Sequence, residues 1–133
     1  MSREDVETVR AGFEHFNREG YLPEDAFDPR VELLNLRESP LPGPYRGYEG
    51  LRRWSDDLLE VLDDGRLEIQ EMIDADEASA VITQVRLRGR ARHTGIAVDL
   101  PFTIVSWMRD GRTYRTEGFS DHREALEAAG LSE

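Results

Sequence analysis

The chain contains no cysteine, which excludes disulfides, thiol nucleophiles and thiolate metal sites together. It has no apolar run approaching membrane-spanning length, and its first residues show no signal-peptide pattern, so a cytoplasmic location is expected. Positive charge is scarce: 17 basic residues against 28 acidic ones leave a net charge of -11. Nucleic acid and anionic membrane would repel such a surface, and neither is expected as a partner. Histidine is sparse as well. His15 falls on the wet side of the first helix, His93 in a turn and His122 at the start of the last helix. No two stand at metal-ligand spacing and there is no glycine-rich phosphate loop, so neither a metal nor a cofactor is expected.

What is present describes one domain over residues 1–133, with 38% hydrophobic and 34% charged residues, long enough for a real core. Its centre is the stretch Ser79 to Ser120, three extended runs joined by tight turns. Val81, Thr83, Val85 and Leu87 alternate with Ile82, Gln84, Arg86 and Arg88, which gives a strand with one apolar face. Asp110-Gly111 is the strongest hairpin signal in the chain, because a type I′ turn needs positive φ at both central residues. A regular two-residue turn would set Arg109 against Arg112, Trp107 against Tyr114, Val105 against Thr116 and Thr103 against Gly118. That register puts these last six residues on one face, toward the helices. Phe102, Ile104, Ser106, Met108, Thr113, Arg115, Glu117 and Phe119 then take the other, expected to meet a second subunit.

Ahead of this sheet, Val6, Val9, Phe13 and Phe16 recur at helical spacing after a Ser2 cap, and Gly20 should stop that helix. Pro23 can open a short second helix. Val31 to Leu36 reads as a strand, followed by SPLPGPYRG, where Pro40, Pro42 and Pro44 forbid helix and ladder alike. This loop is a stiff connector or the lip of a cavity. A helix from Glu49 to about Leu62 buries Leu51, Trp54, Leu58, Val61 and Leu62. Asp63-Asp64-Gly65 ends it before a strand at Leu67 to Ile73, and Asp121 with Glu124 caps a last helix closed by Gly130. Antiparallel strands with helices on one face make an α+β domain, a curved antiparallel sheet wrapped around a long helix. The conical space between them would be lined by Phe13, Phe16, Trp54, Val85, Leu87, Trp107 and Tyr114.

The opening helix ending in Phe16-Asn17, the segment FDPRVELL, the segment PYRGYEGLRRW and the closing passage LPFTIVSWMRDGRTYRTEGFSDHREALEAAGL resemble the SnoaL-like (polyketide cyclase-like) group of the nuclear transport factor 2-like superfamily. The resemblance implies a cone-shaped α+β fold, a pocket for a small, mostly apolar molecule, and a homodimer formed through the sheet. It does not carry over the chemistry of two well-known branches. The positions of the tyrosine donor and aspartate base of ketosteroid isomerases hold Gly12 and Leu33 here. Those of the polar triad of limonene epoxide hydrolases hold Val85, Leu87 and Gly118.

Two side chains remain as candidates for acid–base work. Glu32 is the one carboxylate in the first strand, and desolvation would raise its pKa if it pointed inward. In the opposite register Asn35 points in with Val31 and Leu33, and Glu32 is solvated or ion-paired. Tyr114 offers a hydroxyl to hold a ligand carbonyl, or serves as packing opposite Trp107. Thr83, Thr103 and Thr116 bring further hydroxyls, and Gly118 completes the inner face. Arg86, Arg88, Arg90 and Arg92 make an outward edge that is either a solvated face or an anion-binding or dimer-bridging one. Three functions follow: an isomerase-, cyclase- or hydrolase-type enzyme acting by proton transfer, a non-catalytic binder of the same ligand class, or a dimerisation module.

Overall fold

One apolar face built from Val6, Val9, Phe13 and Phe16 turns the first segment into α1, Ser2–Glu19. Gly20 closes it at φ 87°, its N–H donating to the Phe16 carbonyl at 2.8 Å. This computed structural model describes residues 2–37, 39, 41 and 43–131, with Ser2 described by its backbone alone. The Ser2 cap and the conformations expected of Pro40 and Pro42 therefore lie outside the described residues. A short turn of 3-10 helix, Glu24–Ala26, leads to β1, Phe27–Leu34; a two-residue β2, Tyr45–Arg46, precedes α2, Gly47–Val61. Four strands then meander: β3 Leu62–Ala75, β4 Ala80–Ala91, β5 Ala97–Arg109 and β6 Arg112–Phe119. The described chain closes with α3, His122–Ala128.

The six strands form one sheet in the order β2-β1-β6-β5-β4-β3. β1 runs parallel to β6, so the α+β sheet is mixed rather than wholly antiparallel. That pairing joins segments separated by α2 and four strands, and no local sequence pattern encodes it. β3 is an edge strand, and α1 covers part of that edge. Asn17 donates from Nδ2 to the Leu67 carbonyl and accepts from the Leu67 N–H on Oδ1, both at 2.7 Å. One side chain thus satisfies backbone groups that would otherwise be open to another strand.

The helices occupy both faces, which corrects the one-sided arrangement. α1 and α2 pack with Val31, Leu33, Val81, Val85, Ile104 and Met108 in the larger core. α3 lies across the other face, where Ala125 and Ala129 let it sit close to Ile82 and Val105. Asp121 caps it by accepting the Arg123 N–H at 2.9 Å, and the Leu131 N–H closes it onto the Leu126 carbonyl at 2.8 Å.

The β5–β6 hairpin turns as expected, with Asp110 at φ 53° and Gly111 at φ 76°. Arg109 pairs with Arg112 and Met108 with Thr113, but the next pair is Trp107 with Arg115. Tyr114 is therefore an extra residue on β6, a β-bulge, and it shifts every later pair by one. Val105 faces Glu117 and Thr103 faces Phe119, not Thr116 and Gly118. The consequence for β5 is an exchange of faces. Phe102, Ile104, Ser106 and Met108 look toward α1 and α2, while Val105 and Trp107 join the α3 cluster. Thr116 and Gly118 keep the inner face, because the bulge realigns them with Ser106 and Ile104.

Candidate functional site: a cavity between the sheet and two helices

A cavity of about 600 Å³ lies between the inner face of the sheet and helices α1 and α2. α1 contributes Val9, Gly12 and Phe13; α2 contributes Trp54, Leu58 and Val61. The sheet supplies Leu33 and Leu34 of β1, Leu87 of β4, Phe102, Ile104 and Ser106 of β5, and Thr113, Thr116 and Gly118 of β6. Ser39 and Leu41, described residues of the proline-rich segment, also line it, so this loop is part of the wall as well as a connector.

Among the described residues no Asp, Glu, His, Arg or Tyr lines the cavity. Its polar side chains are neutral: Thr8, Asn35, Ser39, Ser106, Thr113, Thr116 and Ser120. Behind the wall, the Trp54 indole N–H donates to Asn35 Oδ1 at 3.0 Å, and the Tyr45 hydroxyl donates to Asp57 Oδ2 at 2.7 Å. Burial, the bond to Asp57 and the charge of that carboxylate together push the Tyr45 pKa up to about 12. The phenol is thus a fixed neutral donor. Phe16 stacks obliquely on Trp54, centroids 5.3 Å apart, and sets the indole against the cavity. No cluster of three or more His, Asp or Glu able to hold a metal occurs among the described residues.

Of the residues expected at the site, Phe13, Asn35, Trp54, Leu87, Thr116 and Gly118 line the cavity. Phe16, Thr83 and Val85 are buried beside it without lining it. Trp107 sits on the opposite face, with Arg115 5.5 Å from its ring centroid. Tyr114 stacks under the Arg109 guanidinium at 4.0 Å, and Thr103 meets His122 Nδ1 at 3.2 Å on the outer side. Glu32 also points outward. Arg115 Nη1 donates to its Oε1 and Arg46 Nη2 to its Oε2, each at 3.1 Å. Neither candidate for acid–base work, Glu32 or Tyr114, reaches the cavity, and Asn35 takes the inward position instead. Of the side chains assigned to the other face that line the cavity, Phe102, Ile104 and Ser106 sit on β5, whose faces the bulge exchanges, and Thr113 sits on β6 just before the bulge.

Three of the four arginines of the edge are ion-paired, and the fourth is held by a backbone carbonyl. Arg86 binds Asp99 at 2.8 Å, Arg88 binds Glu68 at 3.3 Å and Arg92 binds Asp63 at 2.8 Å. Arg90 donates to the Gly95 carbonyl at 2.9 Å. Hydrogen bonds from Arg66 and Arg88 hold the Glu68 carboxyl below its usual range, and Arg86 does the same for Asp99.

Comparison with solved structures returns the same fold repeatedly. An NTF2-like protein from Burkholderia pseudomallei K96243 is 21% identical, with a TM-score of 0.75 over 93% of this chain and 95% of that one. TerC, co-crystallised with polyporic acid, is 21% identical, with a TM-score of 0.73 over 96% and 98% of the two chains. A protein of ketosteroid isomerase-like fold from Catenulispora acidiphila DSM 44928 is 14% identical, with a TM-score of 0.71 over 94% and 93%. No curated protein matches the chain. The family model for the SnoaL-like domain matches residues 6–116, from within α1 to within β6, and takes in most of the cavity lining. The chain belongs to the SnoaL-like family, with the nuclear transport factor 2-like fold.

Proposed function

We propose that this chain is a binding protein for a small apolar molecule, held between the sheet and helices α1 and α2. One observation carries the reading: a cavity of about 600 Å³ whose described lining is hydrocarbon with a few neutral polar groups. Sites for small molecules are typically concave, mostly apolar and of a few hundred cubic ångströms, with a small number of polar groups for orientation. TerC, of the same fold, was co-crystallised with polyporic acid. Proton-transfer catalysis would need an ionisable group against the ligand. Glu32 is occupied by two arginines on the outer face, and Tyr114 is taken up in the bulge.

The homodimer belongs to the same proposal, with the outer face as its contact. Half-buried Trp107 and Phe119 lie there beside the Arg115–Glu117 pair, an apolar patch with a charged border.

The test is thermal denaturation with 9-fluorenone, a neutral three-ring ketone small enough for the cavity. Ligand that binds only the folded state stabilises it by mass action, about 2.7 kcal/mol at one hundred times the dissociation constant. The expected result is a melting temperature that rises with 9-fluorenone concentration by several degrees. A melting temperature unmoved up to the solubility limits of 9-fluorenone and fluorene would refute the reading.

A further inference from the structure

Ser106 of β5 and Thr116 of β6 are cross-strand partners, and both line the cavity. Ser106 is 4% exposed, and neither hydroxyl makes a hydrogen bond with a described residue. Thr113, two pairs closer to the hairpin turn, donates to Met108 Sδ at 3.4 Å. Ser106 is buried and Thr116 half-buried, so the pair presents unused hydrogen-bonding capacity at the surface of an otherwise apolar cavity. Thr83 Oγ1, the fully buried hydroxyl without a partner among the described residues, does not line it. The bulge at Tyr114 is what brings Thr116 opposite Ser106; in a regular hairpin it would face Val105.

We infer that Ser106 and Thr116 are the polar anchor of the cavity, and that its occupant is an uncharged molecule with a hydrocarbon body and a carbonyl, ether or hydroxyl oxygen seated on this pair. The inference rests on the binding reading above and names the ligand class for the same site. Hydroxyls rotate to donate or accept, so the pair suits a neutral oxygen of either kind. The described lining holds no cation to neutralise a carboxylate and no anion to receive an amine, and an unpaired charge is strongly disfavoured in such surroundings. The hydrocarbon walls, Phe13, Leu58, Phe102 and Ile104 among them, take the remainder of the molecule.

The test uses three probes sharing one ring system: fluorene, 9-fluorenone and 9-fluorenone-2-carboxylate, with dissociation constants measured by calorimetry. For the natural sequence, 9-fluorenone should bind about tenfold more tightly than fluorene, as one or two hydrogen bonds to this pair would give. The carboxylate should bind at least about tenfold more weakly than 9-fluorenone. In the Ser106→Ala/Thr116→Val double variant, the preference for 9-fluorenone over fluorene should disappear while fluorene affinity holds within about twofold. Thr116→Val alone replaces a hydroxyl by a methyl of the same shape. It should lose part of the preference, and it serves if the double variant does not fold. Equal binding of fluorene and 9-fluorenone, or a preference that survives in the variants, would overturn the anchor and leave the binding reading standing. A carboxylate that binds as tightly as 9-fluorenone would overturn the uncharged ligand class. Failure of both fluorene and 9-fluorenone to bind would overturn anchor and binding reading alike.

Discussion

Asn17→Ala should lower the melting temperature by about 7–14 °C, the equivalent of about 2–4 kcal/mol for a domain of this length. The side chain makes two hydrogen bonds of 2.7 Å, one to the N–H and one to the carbonyl of Leu67. Leu67 itself is 3% exposed and belongs to edge strand β3, whose one neighbour is β4. Truncation leaves both backbone groups without their partner, and each unsatisfied buried group costs about 1–3 kcal/mol. The effect should reach beyond β3, because α1 brings Val9, Gly12 and Phe13 to the cavity wall. Asn17→Asp keeps the acceptor for the Leu67 N–H and loses the donor, so its melting temperature should fall between those of the natural protein and the alanine variant. Chemical denaturation with an unchanged m-value would show that stability moved, not the extent of unfolding. A fall of less than about 2 °C for Asn17→Ala would remove this clamp from the description of the fold.

Gly118→Phe should keep the fold and weaken 9-fluorenone binding at least about hundredfold, a loss of roughly 2.7 kcal/mol or more. Gly118 lies on the inner face opposite Ile104. A Cβ placed there would meet Phe102 Cε2 at 3.4 Å and Leu36 Cγ and Cδ2 at 3.5 Å, ordinary contacts that ask nothing of the backbone. A ring beyond that Cβ fills space the ligand would occupy. Gly50 behaves differently, since a Cβ at that position would stand 2.9 Å from the Tyr45 backbone carbonyl carbon. Gly50 permits close packing of α2 on β2; Gly118 leaves room in the cavity. Calorimetry on Gly118→Phe, with its melt as a control for folding, separates lost space from lost structure. Undiminished affinity in a folded Gly118→Phe protein would place the ligand elsewhere.

Much of the architecture was legible because it is local. The 3.6-residue spacing of Val9, Phe13 and Phe16, the alternation from Val81 to Leu87, the Asp110-Gly111 turn and the Asp121 cap each carry their own signal. Three features were not. The parallel pairing of β1 with β6 depends on what lies between them, and β2 is two residues long inside a proline-rich segment. The bulge is the third and the most consequential. Nothing in Thr113-Tyr114-Arg115 distinguishes a regular strand from one with an extra residue, yet that residue decides which side of β5 is inside. Trp107 and Val105, the bulkier pair, go to the α3 face, and Ile104 and Ser106 go to the cavity. The orientation of the first strand was open between Glu32 and Asn35. Arg46 and Arg115 settle it by offering Glu32 two cations on the outer face, where no desolvation is needed.

The chain has two tryptophans, one on each side of the sheet, and they make the central claim directly measurable. Protein labelled with 5-fluorotryptophan gives two fluorine resonances, assigned with Trp54→Phe and Trp107→Phe. On titration with 9-fluorenone, the Trp54 resonance should shift to saturation while that of Trp107 stays in place, because only Trp54 lines the cavity. A Trp107 resonance that shifts while Trp54 stays fixed would contradict a ligand site between the sheet and helices α1 and α2.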